Sequence, residues 1–175
     1  MFAKYGKRNI TMNDIAEASS RGRRTLYTYF NNKEDIFKAV VNKELNYLSE
    51  ELTKAFAYDC EPDEKLKKIA ITHLDTVKEI VNRNGSLRAD FFRDIYEVER
   101  ARRKINAQEI QMIRDILQDG ISRKIFKPMD LDLSSVVIFH LIKGLEVPYI
   151  RQNLTKSFEE NKENIVDFIF KGIKR

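Results

Sequence analysis

One cysteine, three prolines and six glycines are all that this chain of 175 residues has of the types that staple, break or sharply turn a backbone. A lone thiol, Cys60, excludes an intrachain disulfide and a cysteine-based zinc site, and it suits a reducing cytoplasm. So little Pro and Gly leaves no room for the many turns of an all-β fold, and an all-α fold is expected. Long apolar runs are missing as well. The longest, residues 136–139, is far short of the roughly 20 residues that span a bilayer, so no membrane partner is expected. No apolar stretch follows the basic residues of the N-terminus, so no secretion signal is expected either. There is no internal repeat and no low-complexity tract. What is present, 42% hydrophobic and 34% charged residues, describes a globular protein able to bury a core.

The charge is unevenly spent. Up to Lys33 there are seven basic residues (Lys4, Lys7, Arg8, Arg21, Arg23, Arg24, Lys33) and two acidic ones (Asp14, Glu17). Subtracting these from totals of 32 and 27 leaves 25 of each sign, so the whole formal charge of +5 sits in the first fifth of the chain. A basic end on a balanced protein implies one surface facing a polyanion, with nucleic acid the leading candidate.

Two short helical patterns lie inside that basic segment. Residues 1–5 read as one helical turn with Phe2 and Tyr5 on a face, ending at Gly6, which suits a C-cap. A helix so short is marginal alone, and the chain is expected to begin partway through a longer one. Thr11 can cap a helix over 12–18, with Asp14 favourably placed in its first turn and Ile15 and Ala18 inward. Residues 19–22 interrupt the pattern. A second helix is expected over 23–30, with Leu26 and Phe30 inward. Two such helices joined by about four residues form a helix-turn-helix, whose second helix enters the major groove by its first turn. Here that turn carries Arg23, Arg24 and Thr25, and arginine donates bidentate bonds to guanine or to phosphate.

Thr11, Asp14-Ile15-Ala16, Thr25-Leu26-Tyr27, Tyr29-Phe30 and Asn32-Lys33-Glu34, taken in register, resemble the DNA-binding end of the tetracycline-repressor (TetR) family of bacterial transcription regulators. The resemblance covers about residues 1–45 and joins several motifs at fixed spacing. It implies that Arg23, Arg24 and Tyr27 face base edges, with Asn13 nearby, and that Thr11, Thr25, Tyr29 and Lys33 hold phosphates. Three positions depart from the family pattern. Ser20 stands where the turn usually has Gly, which costs roughly 1 kcal/mol if the residue is left-handed. Arg21 occupies a position that is usually apolar. Gly22 replaces the usual capping Ser and is a few tenths of a kcal/mol worse as an N-cap. The family's full first helix is mostly missing before the matching point.

Beyond Lys33 the pattern is helical throughout. Asn32 and Asp35 form a near capping box for a helix carrying Ile36, Phe37, Val40, Val41, Leu45, Leu48 and Leu52. After a break at 58–62, the stripe Leu66, Ile69, Ala70, His73, Leu74, Val77, Ile80 and Val81 marks another, with Pro62 at its start. A short aromatic helix is expected at 91–96. A charged stretch, 97–104, leads to a helix marked by Ile105, Met112, Ile113, Ile116, Leu117 and Ile121, with Gly120 and Pro128 bracketing a frayed end. The expected division is a DNA-binding domain over 1–46 and a helical sensing and dimerisation domain over 47–175.

The last two helices, near 133–147 and 161–174, are apolar around more than one face, which requires burial on two sides. A homodimer through Val137, Leu141, Ile165, Phe168 and Ile169 is the expectation, and the family resemblance implies the same pairing. An apolar or aromatic effector of unknown identity is expected among His73, Phe92, Tyr96, Met112, Ile116 and His140, although a fully packed core with satisfied histidines explains those residues about as well. A di-iron bundle needs Glu three residues before His; Ala70 and Val137 stand there, so no metal and no cofactor are expected. The acidic pairs Asp90/Asp94 and Glu97/Glu99 read as solvated faces beside Arg93, Arg100, Arg102 and Arg103. The partners expected are therefore a double-stranded DNA operator, a second copy of the chain and a small molecule, with repression and no catalysis. The competing readings are a helical carrier or enzyme with an incidental basic end, and a nucleic-acid binder without sequence preference.

Overall fold

The computed structural model describes residues 2–84, 95–151 and 161–174, and among these the protein is all-α. The helices are α1 (Phe2–Tyr5), α2 (Met12–Ala18), α3 (Arg23–Tyr29), α4 (Lys33–Ala57), α5 (Pro62–Asn84), α6 (Ile95–Ser122), α7 (Leu131–Arg151) and α8 (Lys162–Lys171), with one 3-10 turn at Lys7–Asn9. The charged stretch 97–104 is not a separate linker, because α6 runs through it without a break. Its residues are good helix formers, and charge on a solvated face does not interrupt a helix. The aromatic segment 91–94 lies outside the described residues.

Contacts divide the chain into two compact units, neither of them one continuous stretch. The first is Met1–Asn46 with Ile80–Arg103, and the second is Tyr47–Glu79 with Lys104–Arg175. The expected domains, 1–46 and 47–175, were each continuous. The difference arises because α4, α5 and α6 are long enough to contribute their separate ends to both units.

In the first unit, Ile10, Ile15, Ala16, Leu26 and Ile36 close a small core against Phe2, Met12 and Phe30. Ala18, expected to point inward, is exposed. Phe2 also meets Phe37 edge to face at 5.4 Å. Gly6 has φ 80, a conformation open to glycine at little cost, and its N–H donates to the Phe2 carbonyl at 2.9 Å to end α1. Asn32 Oδ1 accepts from the Asp35 N–H at 2.8 Å, and Asp35 Oδ2 accepts from the Asn31 N–H at 3.2 Å, fixing where α4 starts.

In the second unit, Leu66, Ile69, Ala70, His73, Leu74 and Val77 of α5 are buried, as the stripe predicts, together with Ile113, Ile116 and Leu117 of α6 and Phe139 and Ile142 of α7; Ile80 and Val81, the stripe's last two members, are half-buried. Each fully buried aliphatic or aromatic side chain contributes about 1.5–3 kcal/mol. The end of α6 is packed rather than frayed. A Cβ on Gly120 would lie 2.1 Å from the Phe126 ring, so only glycine lets that fully buried ring close over the helix. Lys124 turns the chain with φ 62, and the Ile125 and Phe126 N–H groups donate to the Gly120 carbonyl at 2.8 and 3.1 Å.

Candidate nucleic-acid interface

Thr11 and Asp14 make a complete capping box at the start of α2. The Thr11 N–H and hydroxyl donate to Asp14 Oδ2 at 2.7 and 2.8 Å, and the Asp14 N–H donates to the Thr11 hydroxyl at 3.3 Å. These hydrogen bonds from the Thr11 backbone, then from its hydroxyl, hold the Asp14 carboxyl below its ordinary value. The hydroxyl assigned to phosphate by resemblance is thus already engaged in capping. Between the helices, Ser20 has φ 52, the left-handed conformation that its family-pattern position requires. Its N–H donates to the Glu17 carbonyl, and the Arg21 N–H donates to Ala16, both at 3.0 Å. Gly22 caps α3 with extended backbone and no side-chain hydrogen bond, although its carbonyl accepts from Leu26 at 3.1 Å.

Every residue of α3 except Leu26 is exposed. One short helix therefore turns Arg23, Arg24, Thr25, Tyr27, Thr28 and Tyr29 outward, with Tyr29 76% exposed and the Arg23 guanidinium 5.5 Å from the Tyr27 ring centre. Asn13 is exposed on α2. Lys33 is half-buried and donates to the Ile10 carbonyl at 3.0 Å, tying the start of α4 to the loop before α2. Tyrosines on a surface are usually held by a packing partner or reserved for one to come.

The charge environment of α3 differs from that of the helical body, and within the first unit itself Arg83 is paired with Glu44. In the second, cations are answered by acids: Lys67 by Asp167 at 2.6 Å, Arg114 by Asp132 at 2.7 Å, Lys174 by Asp63 at 2.6 Å and Arg123 by Glu61 at 2.5 Å. On α3 and the turn before it, no carboxylate pairs with a guanidinium among the described residues. A cationic, aromatic, acid-free face can bind phosphates and stack or hydrogen-bond at base edges.

The expected effector residues are dispersed. His73 and Met112 and Ile116 are buried in the second unit. Phe92 lies outside the described residues, and of Tyr96 only the helical backbone is described. His140 does not join His73: it is exposed and its ring meets Phe139 edge to face at 5.3 Å. The correction follows from helical geometry, since Phe139 and Ile142 take the inward positions of α7 and turn position 140 outward.

What His73 does meet was not visible in the sequence. Its Nδ1 lies 2.8 and 2.9 Å from the two Glu109 oxygens on α6, and its Nε2 lies 2.8 Å from Glu146 Oε1 on α7. Burial alone pushes this imidazole down, but Glu109 and Glu146 outweigh it and raise the value to about 9. Both ring nitrogens then donate, and His73 is a buried cation between two carboxylates. Their separations of 36 and 73 residues leave no local signal. Among the described residues no group of His, Cys, Asp and Glu could hold a metal ion.

The expected dimer residues fall on a distinct surface. Beyond Asp132, which is exposed and pairs with Arg114, the exposed positions of α7 are Leu133, Val136, Val137, His140, Leu141, Gly144 and Val147, none of them an acid, lysine or arginine. Phe168 on α8 is 81% exposed, while Ile165 and Ile169 are half-buried. By length and composition alone α7 is long and apolar enough to cross a membrane. Its opposite face, with Ile138, Phe139, Ile142 and Tyr149, is packed in the second unit's core.

Comparison with known proteins agrees with this geometry. Residues 1–40 match the family described as bacterial regulatory proteins, tetR family. The uncharacterized HTH-type transcriptional regulator YhgD of Bacillus subtilis is 23% identical over 159 residues, covering 87% of this chain and 80% of that protein. A transcriptional regulator from Cytophaga hutchinsonii has a similar structure, with a TM-score of 0.75 and 26% identity over 99% of this chain and 93% of its own. So does the "putative fatty acid metabolism regulator" of Clostridium perfringens, at 0.69 and 26%, over 99% and 94%. Residues 1–40 thus carry a tetR-type helix-turn-helix, and the chain with its helical body is similar to bacterial transcriptional regulators of that type.

Proposed function

We propose that the protein is a homodimeric repressor that binds double-stranded operator DNA through α3 and releases it when a small molecule binds the helical body. The observation that carries the reading is the outward face of α3, where Arg23, Arg24, Tyr27 and Tyr29 stand exposed with no acidic partner among the described residues. In this reading Arg23, Arg24 and Tyr27 read base edges with Asn13 beside them, and Thr25, Tyr29 and Lys33 bind the phosphate backbone. Thr11 acts mainly by holding α2 in place.

Dimerisation rests on the exposed positions of α7 from Leu133 to Val147, which carry no charge, with Phe168 of α8. An exposed apolar patch of that kind on a monomer marks an interaction surface, and a two-fold contact sets like residues against each other, which an uncharged face tolerates. Two recognition helices spaced to reach half-sites about 34–36 Å apart then bind one operator, and an effector that prefers a different spacing weakens the grip. A DNA regulator of this kind works in the cytoplasm. The Clostridium perfringens relative is named for fatty acid metabolism, so fatty acyl compounds are the first effectors to screen.

Selection of bound fragments from random duplex DNA tests the reading. A recovered palindrome bound at least a thousandfold more tightly than random duplex at fixed salt supports it. Equal binding of all sequences refutes operator recognition and leaves a general nucleic-acid binder.

A further inference from the structure

From the turn geometry we infer that Arg21 is a further DNA contact, one that grips a backbone phosphate at the rim of the groove and adds affinity without adding sequence preference. The inference rests on the DNA-binding reading of α3 and extends it to a residue outside the set that the family pattern supplies.

Three observations carry it. The first is that the small core of this unit closes without residue 21. Ile10, Ile15, Ala16, Leu26 and Ile36 fill it with Phe2, Met12 and Phe30 around them, while Arg21 is exposed. An arginine in a position where the pattern calls for an apolar plug therefore contributes nothing to packing. The second is that its backbone is fixed. Ser20 is held at φ 52, the Arg21 N–H is bonded to Ala16 at 3.0 Å, and Gly22 follows in extended conformation before α3 begins. The side chain leaves a pinned turn, so reaching a fixed partner costs less entropy than it would from a mobile loop. The third is electrostatic. The Arg21 guanidinium has no ion-pair or hydrogen-bond partner among the described residues, though Glu17 stands four residues before it on α2, also exposed.

Docking geometry decides which part of DNA such a residue meets. The first turn of a recognition helix enters the major groove, so residues just before its N-cap lie at the groove edge, where the phosphates are. Arg21 precedes the Gly22 cap by one residue, whereas Arg23 and Arg24 occupy the first turn itself. A guanidinium at that edge matches the phosphate oxygens with two parallel N–H bonds.

The test measures binding of the full chain to the duplex recovered by selection and to a scrambled duplex, from 50 to 200 mM salt. For wild type, salt-dependent binding to duplex establishes the parent reading; a wild type that binds neither duplex overturns that reading and this inference together. With the parent reading established, Arg21→Gln and Arg21→Ala should weaken both duplexes by the same factor, roughly three- to tenfold, and lower the salt slope by about 0.9. Arg21→Lys should keep the slope. An unchanged slope and affinity in both Arg21→Gln and Arg21→Ala overturns the inference, as does a loss confined to the selected duplex, which would make Arg21 a base reader. A urea midpoint equal to wild type in Arg21→Gln separates a lost contact from a damaged turn.

Discussion

Ser20 and Gly22 show how two single positions share the cost of one turn. Ser20 holds φ 52, which a residue with a Cβ adopts at a cost, while Gly22 is extended and offers no side chain to the N–H groups of α3. Ser20→Gly should therefore stabilise the first unit by about 1 kcal/mol. Gly22→Ser should add a few tenths of a kcal/mol, because a Cβ there meets only Thr25 Oγ1 at an ordinary 3.7 Å and the hydroxyl supplies the missing cap. Urea denaturation followed by helical circular dichroism reads both, and a loss of stability in either variant would contradict the account.

His73 is the other residue whose surroundings set a clear expectation. Its value in the folded protein, about 9, lies above the ordinary 6.5 of a free imidazole. A raised value means that its contribution is complete below about 6.5 and is lost as the pH rises through about 9. Stability should fall across that window in wild type and fall less in a variant lacking the imidazole. Removing His73 alone leaves Glu109 buried without its cation, so His73→Ala should cost about 3–5 kcal/mol. Replacing the group as a whole, His73→Phe with Glu109→Leu and Glu146→Leu, should cost much less, since well-packed apolar residues often match a buried ion pair. Equal losses in the single and triple variants would show that the charges are not what couples these helices.

At the scale of an element, α7 and α8 share a feature with α3 in the other unit, a face left exposed among the described residues. On α7 the inward positions Ser135, Ile138, Phe139 and Ile142 alternate with the outward Val136, Val137, Leu141 and Gly144, so one helix is apolar on both sides. Around its proline the helix is anchored on α5. Glu146 bonds to His73, the Tyr149 hydroxyl donates to Asp75, and Lys162 of α8 reaches the same Asp75 at 2.6 Å. That anchoring keeps the inward face fixed whatever covers the outward one. Phe168→Glu and Leu141→Glu should each convert a dimer into a monomer in sedimentation at micromolar concentration while leaving the helical content intact. A wild-type monomer at that concentration, or an unchanged mass in both variants, would reject this surface.

For the whole molecule the expected behaviour is switchable binding to a two-fold operator. Arg24→Ala should lower affinity for the selected duplex by roughly 1–3 kcal/mol and relax the preference at one guanine. Lys33→Ala should weaken all sequences alike; because Lys33 also holds the Ile10 carbonyl, part of its effect should appear as lower stability of the first unit. Fluorescence anisotropy with selected and single-mismatch duplexes separates the two, and equal losses on every duplex for Arg24→Ala would remove it from the base-reading set.

What the sequence determined by itself was whatever depends on neighbours within a turn or two of helix. The caps at Thr11 and Asn32, the start of α5 at Pro62, the span of α2 and the inward stripe of α5 are set by spacings of three and four, and they stand in the structure as read. For Ser20 the sequence set only the cost of a left-handed backbone, and the structure decided that the residue adopts it, at φ 52. Only the tertiary structure decided what depends on contacts between distant segments. It gave His73 its two carboxylates from α6 and α7, turned His140 outward, left Arg21 outside the core and let the Phe126 ring close against Gly120. It also gave the ends of α4, α5 and α6 to different units. Periodicity shows that a helix has an apolar side but not which other helix meets it, since that choice is made by packing among all of them at once.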